Sequence, residues 1–412
     1  MSVGTNWAGY HEYAATVLHR PRSLEELSDL VARTPRIRAL GSRHSFSDLA
    51  DAPELVSLDA MPPDIRIDPE TETVSFSAGL RYGDLAPVLQ SAGFALRNLA
   101  SLPHISVAGA IATGTHGSGD RNGTLSRAVS RLELVTADDS VRTVSPVDAD
   151  FDGAVVSLGA LGIVSRITLD LEPSFEVRQD VYEGLTWPNL FDHLDDIMAR
   201  AYSVSVFTTW STEHVGRVWL KSAIGERKPP QTLYGAAPAL APRHPLANMP
   251  PENTTPQGGL PGPWLERLPH FRLEFTPSNG DELQSEYLVP RHHGVDAVRA
   301  VHALRDRIAP HLHVSELRTM AADSLWLSGA FETDALGIHF TWKKEPEAVL
   351  ALLPVIEDAL APFAARPHWG KLFHRVDPAL YPRWDDFRAL AHLMDPDGKF
   401  RNPFLDRHVF SD

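Results

Sequence analysis

Five side chains in the C-terminal half have the types and spacing to act on a polar substrate. In "VSELRTM" (314–320) a strand's period of two sets Glu316 and Arg318 on one face and Leu317 on the other. In "GIHFTWK" (337–343) the same period gives Ile338, Phe340 and Trp342 an apolar face and leaves His339 and Thr341 opposite. Lys371 stands between two aromatics in "PHWGKLF". Two fixed cations, a carboxylate and neutral donors would together hold a substrate with several hydroxyls and stabilise negative charge forming on oxygen. Each also has a bland explanation. Glu316 and Arg318 could form a surface ladder, and Lys371 could lay its stem along apolar surface.

A second set lies near the N-terminus. "RALGSRHSFS" (38–47) runs from a strand into a turn that carries Arg43 and His44, either a solvated loop histidine or one held against a cofactor. Downstream, "SLPHISVAGAIATGTHGSGDRNGTL" (101–125) has glycines at 109, 114, 117 and 119. Their spacing does not follow the G-x-G-x-x-G order of dinucleotide folds. Glycine amides beside the hydroxyls of Ser106, Thr113, Thr115 and Ser118 still suit a pyrophosphate, and "ISVAGAIATG" is apolar and small enough for burial. "SLGALGIV" (157–164) could let a flat ring lie against backbone.

The elements that must carry these residues divide the chain in two. "RPRSLEELSDLVART" (20–34) predicts a helix with a Ser23/Glu26 capping box and an apolar face of Leu24, Leu27, Leu30 and Val31. "RIRAL", "TVSFSAG" (73–79), the two halves of 131–144 and 157–173 predict strands, and 82–96 a helix closed by Gly93. Beyond about 176, strands are expected at 203–210, 217–222, 271–277 and 284–290, and helices at 294–309 and 346–364. Residues 223–270 form a Pro/Gly-rich connection. The fold class is α+β, its second part an antiparallel sheet with helices on one face.

Composition removes several functions. With no cysteine there are no disulfides, thiolate metal sites or thiol catalysis. A net charge of −15 without a basic block argues against nucleic acid and anionic membrane. The N-terminus lacks a secretory pattern, and the apolar stretches 154–164 and 348–365 are too short or are broken by Pro354, Glu357 and Asp358, so a cytoplasmic protein is expected. "RHH" (291–293) and "HLH" (311–313) are weak metal candidates, and no metal is expected.

"ALGSRHS", "ASLPHISVAGAIATGTHGSG" and "SLGALGIVSRITLDLEP", in that order, resemble the flavin-binding domain of the vanillyl-alcohol-oxidase-type flavoproteins. The likeness continues through "GPWLERLPHFRLEFTPSNGDELQSEYLVPR", "SELRTMAAD", "HFTW", "RPHWGKLF" and "DPDGKFRNPF", covers nearly the whole chain, and is greatest to the alditol (xylitol) oxidase subfamily. The resemblance implies an FAD-binding domain (1–175), a substrate domain (176–360) and a C-terminal segment returning to the first (361–412). It implies FAD bonded covalently to His44, with Gly41, Ser42 and Ser45 donating to the pyrophosphate and Arg43, which replaces a smaller residue expected there, also in contact with the cofactor. The remaining cofactor contacts it implies are Ser101, Ser106, Gly109, Thr113, Gly114, Thr115, His116, Gly117, Gly162, Ile163 and His368. It gathers Ser101, Glu316, Arg318, Thr341 and Lys371 around the substrate, with Gln284 and His339 close by, and makes Arg318 and Lys371 the catalytic cations. The implied reaction takes a polyol and oxygen to an aldose and hydrogen peroxide, in a monomer without nucleic-acid or membrane partners. An aldonolactone oxidase or dehydrogenase, and a flavin-binding protein without turnover, are the alternatives.

Overall fold

The computed structural model describes residues 3–210, 213–246, 249–275 and 280–411. The chain begins with a parallel ribbon of Val17–His19, Glu54–Val56 and Ile37–Ala39, the central strand being Glu54–Val56. Between the first two of these in sequence, helix Leu24–Arg33 starts at Ser23, whose hydroxyl accepts the Glu26 amide at 3.1 Å. It buries Leu27, Leu30 and Val31, whereas Leu24, expected on the same face, points out at the first turn. Ile37–Ala39 ends in the histidine turn, so the ribbon aims residues 41–45.

A five-stranded antiparallel sheet follows, in the order Arg66–Asp68, Thr73–Ser77, Ile163–Asp170, Val129–Val135 and Val141–Val144. Helix Tyr82–Ser91 ends before Gly93, where φ is +83°, and Phe94–Ala95 turns into a short strand rather than a last helical turn. Within the glycine tract, Val107–Ala112 forms a short helix that buries Val107, Ala110 and Ile111. Small residues let it sit deep in the core.

The second part is built on a nine-stranded antiparallel sheet among the described residues. Its main path runs Glu176–Thr186, His214–Ala223, Ser203–Thr208, Leu312–Met320, Ala335–Lys343 and Glu282–Pro290, with two-residue strands at the margins. One face packs Leu317, Ile338, Phe340 and Trp342 against helices Trp187–Met198, Gly294–Ala303 and Pro346–Leu360. The other face carries Gln284, Glu286, Glu316, Arg318, His339 and Thr341 and lines a cavity. Register joins them: Glu316 lies across from His339, and His339 from Glu286.

Several expectations are corrected. Residues 271–275 form no ladder; Phe271 makes one isolated bridge to Thr254, and 276–277 lie outside the described residues. The amides of His270 and Phe271 both donate to the Ser101 carbonyl, at 3.1 and 3.3 Å, and fasten this segment to the glycine tract instead of a sheet. The helix expected over 294–309 breaks at Leu304 into Gly294–Ala303 and Arg305–Ile308. That over 346–364 stops at Leu360, and Ala364 adopts a left-handed conformation. C-terminal helices Trp384–Met394 and Pro403–His408 put Phe387, Phe404 and Leu405 into the N-terminal core. Asn402 points its Nδ2 amide at the carbonyls of Asp48, Leu49 and Asp51, at 2.9–3.0 Å. Among the described residues no helix is long and apolar enough to cross a membrane.

Candidate active site

A cavity of about 410 Å³ opens between the histidine turn, the glycine tract and the polar face of the large sheet. Its first stretch is shaped for close approach to backbone. A Cβ on Gly41 would lie 2.3 Å from Ser106 Oγ, and one on Gly79 would lie 2.2 Å from the Leu58 carbonyl. The Ser106 amide donates to Ser42 Oγ at 2.8 Å, tying turn to tract. Among the described residues the amides of Arg43, His44 and Ser45 donate to no protein acceptor, and all three line the cavity. Free amides on a bare turn fit an anionic group.

Arg43 holds its backbone at φ 63° and turns its guanidinium away, to the Val3 carbonyl at 2.9 Å. The large side chain is thus directed away from the turn amides. His44 stacks on Trp7 with ring centroids 5.4 Å apart, and its Nδ1 is buried without a hydrogen-bond partner. Burial, against the pull of the Ser42 backbone and with smaller help from His104 and Arg81, brings its imidazole down to about 4, so the ring is neutral near pH 7. Ser101, Ser106, Gly109, Thr113, Thr115, His116, Gly162 and His368 also line the cavity. Gly114, Gly117 and Ile163 do not. Gly117 is packed against Asn98 and Leu99, and Ile163 pairs with Val135 inside the five-stranded sheet.

The far end is a buried charge cluster, and its centre is a residue that sequence reasoning missed. Glu286 is 1% exposed. Lys371 Nζ approaches its Oε2 at 2.5 Å, and Arg318 approaches its Oε1 at 3.1 Å. His116 Nε2 stands 3.2 Å from Oε1 and His339 Nδ1 3.6 Å from Oε2. Burial alone would raise the Glu286 carboxyl, but Lys371, His116 and Arg318 hold it well below the usual range. Lys371 is itself lowered by burial, with Glu286 opposing that shift. Each thus supports the charged form of the other in a dry site.

Arg318 also stands 3.6 Å from Glu316 Oε1 and 3.4 Å from Ser101 Oγ. Lys371 donates to His339 Nδ1 at 2.8 Å, so the other ring nitrogen carries the proton and donates to Thr341 Oγ1 at 3.1 Å. Gln284, which lines the cavity, donates to Glu282 at 2.6 Å. Glu286 falls two residues after Gln284, so the period of two was the signal that could have found it. Two further groups border Glu316: His270 Nε2 at 2.8 Å and, behind it, Lys221.

Among the described residues, His116, Glu286 and His368 come within ligand spacing of one another, whereas 291–293 and 311–313 form no such group. A divalent ion there would share Glu286 with two cations already bonded to it, which opposes binding electrostatically.

Comparison with known proteins gives this geometry a context. A family model described as an FAD binding domain matches residues 15–145, and one described as D-arabinono-1,4-lactone oxidase matches residues 280–408. An alditol oxidase from Streptomyces sp. (strain IKD472 / FERM P-14339) is 50% identical over 408 residues, covering 97% of each chain. An L-gulono-1,4-lactone dehydrogenase from Mycobacterium tuberculosis (strain ATCC 25618 / H37Rv) is 29% identical and covers 98% of each. Cholesterol oxidase from B. sterolicum has the same fold, with a TM-score of 0.80 at 15% identity, over 99% of this chain and 97% of that one. The bare turn, free amides and neutral histidine fit FAD as the cofactor of the cavity. Identity at half of the aligned positions, over nearly the full length of both chains, makes this protein a member of the alditol oxidase family of FAD-binding oxidoreductases.

Proposed function

We propose that the protein oxidises the terminal primary alcohol of an alditol such as xylitol or sorbitol to the aldose, and that oxygen takes the electrons and leaves as hydrogen peroxide. The observation that carries this reading is one face of one sheet bearing Glu286, Glu316 and Arg318, with Lys371 against it, at the end of a glycine-walled cavity. Bound FAD supplies the two-electron acceptor for the hydride that leaves carbon. Arg318 and Lys371 stabilise the negative charge that develops on the alcohol oxygen as its proton departs. Glu316 accepts hydrogen bonds from other hydroxyls of the chain, and Ser101, Thr341 and Gln284 add neutral partners. His339, oriented by Lys371, keeps the Thr341 hydroxyl free to donate towards substrate.

The covalent link to His44 belongs to the same proposal. A neutral ring with an unpartnered Nδ1 is a nucleophile, and the stacked Trp7 restrains it at the cavity wall. Residues 1–175 together with 361–412 would serve as the flavin unit and 176–360 as the substrate unit. The shared N-terminal and C-terminal core and the sheet face of the middle segment support that division.

Anaerobic addition of xylitol should bleach the flavin absorbance, and air should restore it with peroxide formed one-for-one with xylitol. Bleaching by an aldonolactone but not by polyols would replace this reading with the lactone activity, which the 280–408 match favours as the second choice. For the link, acid-precipitated protein should stay yellow; flavin recovered entirely in the supernatant refutes it.

A further inference from the structure

Lys221 lies on strand His214–Ala223, is 1% exposed, and faces no carboxylate at bonding distance. Its Nζ reaches three acceptors: the Leu268 carbonyl at 2.5 Å, the Pro269 carbonyl at 3.0 Å and His270 Nδ1 at 3.0 Å. Burial lowers the Lys221 ammonium to about 7, against the pull of Glu316. Two of the three partners are carbonyls that can only accept, and an ammonium, with three N–H groups and no lone pair, matches the whole set one for one. The third contact uses the Nδ1 lone pair of His270. His270 can then carry its proton only on Nε2, which donates to Glu316 Oε1 at 2.8 Å.

Glu316 is 4% exposed and faces the cavity, yet neither Lys221 nor His270 takes part in the reaction described above. We propose that Lys221 is a positioning residue that keeps His270 neutral in its Nε2–H form, so that His270 orients the Glu316 carboxylate without cancelling its charge. This inference rests on Glu316 serving as the acceptor for polyol hydroxyls. The same histidine holds the Ser101 carbonyl through its backbone amide, at 3.1 Å, so one residue registers two walls of the polyol site.

The charged groups that face His270 are Lys221, Glu316 and Arg318. Phe207, Trp219 and Phe271 close the other sides edge-on, with centroids 5.3–6.5 Å from that of His270, and carry no charge. On the flanking strands Gln179 and Ser203 lie directly across from Lys221, and both are neutral. Burial first, and Lys221 next, lower the His270 imidazole to about 4, against the pull of Glu316. Without the lysine, Nδ1 is free to take a second proton. An imidazolium would then pair with Glu316 and compete with the substrate for it.

The test uses the flavin-loaded enzyme with 15N-labelled histidine. In wild type the His270 pair of resonances, assigned by its loss in His270→Gln, should show one acceptor nitrogen and one N–H nitrogen at about pH 6, where Lys221 is protonated, and no imidazolium between about pH 8 and about pH 5. In Lys221→Met a titration should appear in that window. KM for xylitol should rise on the order of tenfold below the new transition and recover above it, while kcat changes little. His270→Gln, which offers a permanent neutral donor to Glu316, should keep KM near wild type and flat with pH. His270→Phe, which fills the aromatic box without a donor, should raise KM at all pH values. A wild-type His270 that is imidazolium, or protonated on Nδ1, overturns the proposal. So does a Lys221→Met profile that superimposes on wild type. If Lys221→Met does not fold, the wild-type spectrum and the His270→Gln and His270→Phe pair still decide. An enzyme that no polyol reduces but whose His270 spectrum is as expected would refute the substrate reading and leave the tautomer assignment standing.

Discussion

Replacing Glu286 by glutamine keeps the side chain's shape and removes the one full negative charge shared by Lys371 and Arg318. At an effective dielectric of about 20, a pair of unit charges about 4 Å apart interacts by about 4 kcal/mol. Lys371, at 2.5 Å, therefore loses at least this order of support for its ammonium, in a site where burial already disfavours it. The sign follows. With its partner gone, Lys371 releases its proton at a lower pH than in wild type, so Glu286→Gln should reduce flavin with xylitol best at acid pH and lose rate as pH rises. Near neutrality the loss should be on the order of a hundredfold, comparable to removing a fixed charge donor from an oxyanion site. The assay is anaerobic stopped-flow bleaching of the flavin at a series of pH values, beside a thermal melt that reports the cost of stranding two buried cations. A well-folded Glu286→Gln enzyme with the wild-type rate and pH profile would refute the electrostatic role assigned to the cluster.

Arg318→Ala removes a buried cation that bonds Glu286 and faces Glu316. It should slow flavin reduction on the order of a hundredfold while leaving FAD bound, as rapid reduction kinetics and the visible spectrum would report. Ala100, 7% exposed on the cavity wall beside Ser101, leaves room for a small molecule. Ala100→Val should slow reoxidation by oxygen more than reduction by xylitol, a split read by mixing the reduced enzyme with aerated buffer.

Much of the site was legible where one strand carries the information. Glu316 with Arg318 and His339 with Thr341 follow from the period of two, and the turn at 41–45 follows from its small residues. Residues 176–198 were harder: Glu176–Thr186 mixes charged and apolar residues because it lies inside the sheet yet pairs with Ala237–Pro238 of the covering connection, and Trp187–Met198 follows it with no break. Glu286, Lys221 and His270 were missed for a different reason. Their meaning lies in partners that come from other strands and from the end of the 223–270 connection. A charged residue in an apolar strand is itself a signal, but the sequence alone does not say which charge it meets. The expected strand failed over 271–275 because alternation describes a side-chain pattern, whereas the Phe271 amide, like that of His270 before it, is committed to the Ser101 carbonyl.

Asn402 caps helix Pro403–His408 with Oδ1 and fastens residues 48–51 with Nδ2, so the wall beside Phe46 and Leu49 is held by a residue some 350 positions later. For a chain made from its N-terminus, this sets an order of events. The histidine turn emerges early, but the brace behind it arrives only some 350 residues later. Until Asn402 is made, a nascent chain therefore holds the histidine turn without the brace behind it. Chains arrested before Asn402 should leave the ribosome colourless, while those arrested after Phe410 should retain yellow flavin; equal flavin retention by both would show that the early elements shape the cavity without their distant brace.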